Sequence, residues 1–176
     1  MADVKLRVGG GGVRMSEALG AVPVAMPASQ AYEAISKGVA DGAMFPYESV
    51  AGFRLSELVD YHLSIPGGLY TTPFVVMMNQ AKYDAMPADL QAALDEAGGI
   101  NGAKLLGAGW DAADKVGMQA AIDGGGTVTT LSDAEIARWA EQISFMEADW
   151  ISRADARGLD GAALLEDLKA TFSKYN

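Results

Sequence analysis

The chain has 176 residues, half of them apolar, and its 23 acidic residues against 13 basic ones give a net charge of −10. This length suits one domain, or one large lobe with a smaller one. The acidity argues against nucleic acid or an anionic membrane surface as a partner, because both require a basic face. The lack of cysteine excludes disulfides, thiolate metal ligands and thiol nucleophiles.

The first half of the chain predicts an α/β fold. Strands are predicted at residues 4–8, 22–26, 39–45, 61–65 and 72–79, with helices at 13–19, 30–37 and 46–58. Strands alternating with helices at this spacing are typical of a mostly parallel sheet flanked by helices. Pro23 favours a sheet edge for the second strand, because proline has no N–H to donate. The continuous apolar run at 74–78 predicts a core strand that is covered on both faces.

The second half is predicted to be mostly helical. Helical segments are predicted at residues 82–86, 87–122, 132–157 and 159–175, with a strand at 127–131. Gly98 is expected to interrupt the longest helix weakly. Ser132 with Glu135 forms a capping box at the start of the next helix. We therefore expect an α/β ligand-binding lobe over residues 1–79. Long helices and one short strand over residues 80–176 are expected to pack on the same lobe.

Four consecutive glycines at 9–12 follow the first strand. Neither nucleotide-binding fingerprint fits them. Arg14 occupies the position where the dinucleotide pattern requires Gly or Ala, and no Gly-Lys-Ser/Thr follows for a phosphate loop. The glycines form either a plain connecting turn or a turn that lets a ligand come close, and the sequence leaves both interpretations open.

Arg7, in the first strand, is the main candidate for binding an anion. A charged residue in a short strand either lies at an edge or surface, or is held for a partner. A guanidinium binds a carboxylate with two parallel hydrogen bonds and stays protonated in proteins.

Further candidate ligand contacts follow the third strand and precede the apolar run. They are Phe45, Tyr47, Glu48, Tyr70 and Thr71. Open α/β sheets place ligands at the carboxyl ends of their strands, where the first three of these residues lie. The alternative for the aromatic residues is ordinary core packing.

An enzyme is the less favoured interpretation. His62 is the single histidine, so a Ser–His–Asp set is not evident and paired histidine metal ligands are impossible. His62 lies in a strand-like run, which favours a structural role. A small α/β enzyme using Glu48 or Asp41 as a base stays an alternative, as does a structural or assembly module of the same fold. We assign no catalytic residue, cofactor or metal.

Several segments, in this order, resemble one known family. They are KLRV at 5–8, LGAVPVAMP at 19–27, AISKGVADG at 34–42, PGGLYTTPF at 66–74 and YDAMPADLQ at 83–91. These segments resemble the DctP-type solute-binding proteins of tripartite ATP-independent periplasmic (TRAP) transporters. The resemblance implies a periplasmic protein that traps an organic acid between two α/β lobes and delivers it to membrane permease subunits.

The resemblance also suggests roles for the candidate residues. Arg7 matches the arginine that pairs with the ligand carboxylate. Residues 42–48 match the next ligand-contacting stretch, and Tyr70 and Thr71 fall where another cleft segment lies. Phe45 stands where many members have asparagine, which implies a ligand with a less polar body, aromatic or aliphatic.

The resemblance covers only part of a family member. We expect that the signal peptide and the N-terminal lobe are missing, and that Met1 is a start placed just before the second lobe. A chain with half a cleft is expected to bind its ligand weakly. Self-association that covers the exposed apolar surface between the lobes is also expected.

Overall fold

The structure is a computed structural model that describes residues 2–70 and 72–174. The strands are β1 (Lys5–Val8), β2 (Val22–Ala25), β3 (Gly42–Ala43), β4 (Tyr61–Ser64) and β5 (Thr127–Thr130). The helices are α1 (Gly12–Ala18), α2 (Ala31–Ser36), α3 (Glu48–Gly52), α4 (Gln80–Asp84), α5 (Ala88–Ala97), α6 (Gly99–Asp123), α7 (Asp133–Ile143), α8 (Phe145–Asp155) and α9 (Gly161–Phe172).

The strands form two parallel sheets. Three of them lie in the order β2-β1-β3, and β4 pairs with β5. The parallel pairing confirms the predicted α/β class. Pro23 pairs opposite Leu6 on the edge strand β2, where a missing N–H costs nothing. β4 lies in the predicted segment 1–79 and β5 in the predicted segment 80–176, so these two segments share a sheet. The division of the chain at residue 79 stays a prediction.

The main apolar core joins the first sheet to the C-terminal helices. Met15, Leu19 and Trp139 are buried together. Partly buried side chains pack around them, namely Met44, Ile65, Leu69, Leu131, Ile143 and Met146. Each fully buried large apolar side chain contributes about 1.5–3 kcal/mol relative to exposure. The core therefore joins four parts of the chain: α1, the residues after β3, the residues after β4, and α7.

Helix α6 packs on α3 through its C-terminal half. A Cβ at Gly117 would lie 1.7 Å from the carbonyl oxygen of Tyr47, so only glycine fits at this crossing. One turn earlier, Asp114 Oδ1 accepts a hydrogen bond of 2.8 Å from the backbone N–H of Glu48. A carboxylate at this place stabilises the first turn of α3. These contacts fix the chain that follows β3.

The predicted core strand at residues 72–79 is wrong. These residues form no strand, and Phe74 and Val76 are 69% and 87% exposed. The apolar run satisfies the sequence pattern of a buried strand. However, no strand among residues 2–70 and 72–174 lies beside it to pair with its backbone.

Other elements differ from prediction in their length. The third strand is only Gly42–Ala43, because Pro46 lacks an N–H and the chain turns into α3. The predicted helix at 46–58 stops where Arg54 has a left-handed φ of 56°, which an α-helix does not tolerate. The predicted helix at 132–157 divides at Ser144, whose hydroxyl donates to the carbonyl of Glu141 and competes with the helical hydrogen bonds.

Candidate functional site

Arg7 is held rigidly near the carboxyl end of β1. Its side chain is buried, and the residue is only 5% exposed. Its Nε and Nη2 donate hydrogen bonds of 3.2 and 2.9 Å to the carbonyl oxygen of Met26. Met26 directly follows β2, so the parallel pairing of β1 with β2 brings this carbonyl to the guanidinium. Since a guanidinium has five N–H groups, Nη1 and the second Nη2 hydrogen stay available for another acceptor.

Two aromatic side chains lie against or near Arg7. The Cζ of Arg7 is 4.2 Å from the ring centroid of Phe45, a cation–π contact worth roughly 0.5–2 kcal/mol. Phe45 in turn stacks on Phe53, with ring centroids 5.4 Å apart. The Tyr70 hydroxyl donates to the carbonyl oxygen of Met44 at 3.2 Å. Burial raises the pKa of Tyr70, and the nearby Arg7 charge acts in the opposite direction.

The buried charge of Arg7 has no counter-ion within the described part of the chain. Among residues 2–70 and 72–174, none of the ion pairs includes its guanidinium. Burial lowers the pKa of Arg7, opposed by its interaction with Tyr70, and the group still stays protonated at neutral pH. Buried charges in proteins are normally paired. The position therefore suits an anion supplied from outside these residues.

The glycine turn runs directly beside Arg7. A Cβ at Gly9 would lie 3.4 Å from Nη2 of Arg7, so the small residue leaves room at the guanidinium. Gly10 has a φ of 44°, a left-handed conformation that glycine adopts without strain. This placement favours a turn close to the candidate anion site over a remote connector.

The structure does not bring every predicted contact to Arg7. Tyr47 faces β4, with its ring centroid 6.5 Å from that of His62. Glu48 accepts a hydrogen bond of 2.5 Å from the Ser49 hydroxyl. Thr71 lies outside the described residues. The site thus assembles Arg7, Phe45 and Tyr70, and ligand contact by Tyr47, Glu48 and Thr71 stays a prediction.

Two cavities of the described chain lie away from Arg7. A mostly apolar cavity of about 140 Å³ is lined by Ile65, Leu69, Leu131, Ile136, Trp139 and Ile143 among others. A more open depression of about 300 Å³ is lined by Tyr47, Asp114, Lys115, Met118 and Gln119. Neither includes Arg7, Phe45 or Tyr70.

Two groups that shape the site were missed from the sequence. The Met26 carbonyl orients Arg7, and Phe53 supports the Phe45 ring. A backbone acceptor gives no side-chain signal, although parallel pairing of the first two strands places residue 26 beside the end of β1. In the sequence, Phe53 cannot be distinguished from other apolar residues of a helix. Its contact with Phe45 depends on the turn at Arg54.

A parallel sheet flanked by helices, with a buried cation near the carboxyl ends of its strands, is an arrangement suited to binding small anionic solutes. Residues 1–150 match the family profile DctP, described as bacterial extracellular solute-binding protein, family 7. The chain therefore belongs to this family of bacterial extracellular solute-binding proteins.

Three similar proteins illustrate the relationship. The C4-dicarboxylate-binding periplasmic protein DctP of Rhodobacter capsulatus is 29% identical over 156 residues, 87% of this chain and 46% of that protein. A marine metagenome TRAP solute-binding protein specific for aromatic acid ligands, solved with metahydroxyphenylacetate, is 40% identical with a TM-score of 0.94 over 99% of this chain and 56% of its own. A Rhodoferax ferrireducens TRAP solute-binding protein, solved with copurified benzoate, is 34% identical with a TM-score of 0.93. The match covers 98% of this chain and 55% of that protein.

The comparisons confirm the resemblance to TRAP solute-binding proteins. This chain spans about half the length of the relatives it matches. The family consists of substrate-binding transport proteins rather than enzymes, and it is extracytoplasmic, in agreement with the expected periplasmic location. Within residues 2–70 and 72–174, no helix is both long and apolar enough to cross a membrane.

Proposed function

We propose that this chain forms one wall of an organic-acid site in a TRAP solute-binding protein, and that Arg7 binds the ligand carboxylate. The observation that carries the proposal is the buried guanidinium with no carboxylate partner among residues 2–70 and 72–174. A carboxylate supplies two acceptors for a guanidinium edge. Because the Met26 carbonyl occupies the edge formed by Nε and Nη2, the ligand engages the edge formed by Nη1 and Nη2.

The body of the ligand is proposed to be aromatic. Phe45 covers the guanidinium, and Tyr70 lies close enough for its pKa to respond to Arg7. Both residues can pack against a ring that extends from the carboxylate. The relative specific for aromatic acids and the relative solved with benzoate support the same class of ligand. Phe45 provides an apolar surface in place of a hydrogen-bonding amide.

The biological role we propose is delivery of this acid to the membrane permease of a TRAP transporter. In this role, a second α/β lobe supplies the other wall of the cleft, and a hinge motion closes both walls around the ligand. The family membership and the shared fold over half of each solved relative support this role.

The proposed binding of the carboxylate by Arg7 is tested by removing the charge of Arg7 in a protein that has both walls of the cleft. A suitable protein is a chimera in which this chain replaces the matching 56% of the marine metagenome relative. Calorimetry with 3-hydroxybenzoate, a ligand of that relative, gives the affinity. We expect Arg7→Gln to weaken binding by about 2–5 kcal/mol, because the variant leaves the ligand carboxylate buried without its cation.

Arg14→Gln provides the matched control. Arg14 is exposed, pairs with Asp149 and lies over the ring of Phe145, so the control removes an arginine from a comparable aromatic contact. Its affinity should equal that of the unmodified chimera. Equal affinities of the Arg7→Gln and Arg14→Gln variants would show that Arg7 does not bind the carboxylate.

A further inference from the structure

Arg54 follows helix α3 in a conformation that arginine rarely adopts. Its φ of 56° and ψ of 33° lie in the left-handed region, where a residue with a Cβ is strained. Glycine is the usual residue just after the end of a helix, because it adopts this conformation without strain. Strained residues persist where the surrounding structure holds them, and they are concentrated at functional sites. The contacts that hold Arg54 are therefore a place to look for a functional role.

Two neighbouring side chains hold Arg54. Its Nε and Nη2 donate hydrogen bonds of 2.7 and 2.9 Å to the two carboxylate oxygens of Glu57. The Tyr32 hydroxyl on α2 donates to Glu57 Oε2 at 3.1 Å, and the Arg54 guanidinium carbon lies 5.5 Å from the centroid of the Tyr32 ring. An isolated exposed ion pair contributes little, but a two-bond fork within a network is the exception. We call Tyr32, Arg54 and Glu57 the Arg54 cluster.

The turn at Arg54 connects this cluster to the candidate anion site. Phe53, the residue before Arg54, stacks on Phe45 with ring centroids 5.4 Å apart. Phe45 in turn lies 4.2 Å from the guanidinium carbon of Arg7. On the other side of the turn, Leu55 is only 4% exposed, so the core fixes the chain there. A different backbone conformation at residue 54 would therefore displace the ring that supports Phe45.

We propose that the Arg54 cluster positions Phe45 against Arg7 and thereby sets the preference of the site for aromatic acids. The inference rests on the proposed function, in which Phe45 packs against the ring of the ligand. The cluster residues are positioning residues, because they act on Phe45 through the turn and the Phe53 ring. Their side chains are needed because residue 54 is not glycine. A glycine would adopt the same turn without them, which gives the proposal a distinctive test.

Paired variants at residue 54 separate the turn from the charge. Arg54→Ala and Arg54→Gly both remove the guanidinium, but only glycine adopts the left-handed conformation freely. In the ligand-free 176-residue chain, nuclear Overhauser effects between the rings of Phe45 and Phe53 report their contact. We expect these signals to persist in Arg54→Gly and to weaken in Arg54→Ala. Arg138→Ala, which breaks a similar exposed pair with Glu135 within α7, is the control and should leave them unchanged.

Calorimetry on the chimera measures the consequence for ligand preference. We expect Arg54→Ala and Glu57→Gln each to shift the preference for 3-hydroxybenzoate over succinate by about fivefold, a factor typical of coupling through a network of contacts. Arg54→Gly should keep the unmodified preference. Adding Arg54→Gly to Glu57→Gln should restore that preference, because a glycine turn does not need the carboxylate.

The comparison of alanine with glycine decides the proposal. If Arg54→Ala and Arg54→Gly gave equal ring signals and equal preferences, the proposal would be overturned, whether both matched the unmodified protein or both were impaired. Loss of the ring contact in Arg54→Ala with an unchanged preference would overturn the role of Phe45 in specificity. Unchanged affinity in Arg7→Gln would instead refute the proposed carboxylate contact, and it would not alter the ring signals of the ligand-free chain.

Discussion

The orientation of Arg7 is set before any ligand arrives. The Met26 carbonyl holds one edge of the guanidinium, and the Phe45 ring supports one of its faces. Less side-chain freedom is then lost on binding, which favours affinity. The sequence indicated Arg7 because a charged residue inside a short strand is unusual. It could not indicate how the guanidinium is oriented, because that depends on a backbone oxygen of the neighbouring strand.

Phe45 should determine which acids bind. We expect Phe45→Asn in the chimera to weaken binding of 3-hydroxybenzoate by more than binding of succinate, because the amide removes apolar packing and offers hydrogen bonds instead. The expected change in preference is about 1–3 kcal/mol, the usual effect of altering one apolar contact in a specificity pocket. Competition calorimetry measures it.

Phe145→Asn controls for the loss of a ring beneath an arginine, because Phe145 lies under exposed Arg14 with 5.2 Å between ring centroid and guanidinium carbon. This variant should keep the preference of the unmodified protein. An unchanged preference in Phe45→Asn as well would remove Phe45 from the determinants of specificity.

His62 should make the fold less stable in mild acid. It is buried beside Gly126, and its Nε2 has no hydrogen-bond partner among the described residues. Burial lowers the pKa of His62, against an opposing interaction with the Val59 backbone. The unfolded chain therefore takes up a proton at His62 first, as pH falls through about 6.5. The stability is fully present above that pH and falls below it, by at most about 1.4 kcal/mol per pH unit.

Urea unfolding at pH 7.5 and pH 5.5 checks this expectation. Because His62 is the single histidine, His62→Gln removes the group without leaving another imidazole. The loss of stability between the two pH values should be smaller in His62→Gln than in the unmodified chain. Equal losses would mean that carboxylates alone cause the pH dependence.

The individual elements differ in how well the sequence predicted them. The strands β1 and β2 follow from local signals, namely alternation and a proline. The sequence predicted one helix over residues 87–122 with a soft interruption at Gly98, whereas the structure divides it there into α5 and α6. The strand prediction for residues 72–79 is wrong, because their apolar pattern indicates only that they can form a strand when a partner strand lies beside them. A pattern within one segment does not reveal whether such a strand is present.

Two glycines of α6 should respond oppositely to alanine. A Cβ at Gly107 meets no atom within 4 Å, whereas a Cβ at Gly117 would lie 1.7 Å from the Tyr47 carbonyl oxygen. Gly107→Ala should raise the free energy of unfolding by about 0.5–1 kcal/mol, because alanine favours the helix. Gly117→Ala should lower it by about 1–3 kcal/mol or more through the clash with α3.

Thermal or chemical unfolding of both variants measures these effects, and each variant serves as the control for the other. A loss of stability in Gly107→Ala would indicate that another chain approaches α6 at this point. Unchanged stability in Gly117→Ala would contradict the close packing of α6 on α3.

At the scale of the whole molecule, the sequence predicted the family and the class of fold, because ordered motifs across most of the chain carry that information. Several features of the assembled chain could not be read from it. Within the described residues, Arg7 is buried without a counter-ion, and the apolar run at residues 74–78 is exposed. Such features depend on what lies opposite each surface, which these residues do not specify.

The proposed half-site around Arg7 should bind weakly on its own. Neither of the two cavities described above includes Arg7, and binding sites normally cover most of their ligand. We expect the isolated chain to bind 3-hydroxybenzoate at least about 100-fold more weakly than the chimera, a difference of roughly 2.7 kcal/mol. Ligand-detected NMR on the isolated chain, compared with calorimetry on the chimera, measures this difference. Comparable affinities would show that one wall is sufficient.

The proposed anchor for the carboxylate and the proposed surface for the rest of the ligand come from different parts of the chain. Arg7 and its supporting carbonyl belong to the pair β1 and β2, whereas Phe45 follows β3 and Tyr70 follows β4. A mutation at position 45 or 70 can therefore change which acid is preferred while the Met26 carbonyl still orients Arg7. In the proposed site, this separation would allow single substitutions to change the preferred acid without removing the carboxylate anchor.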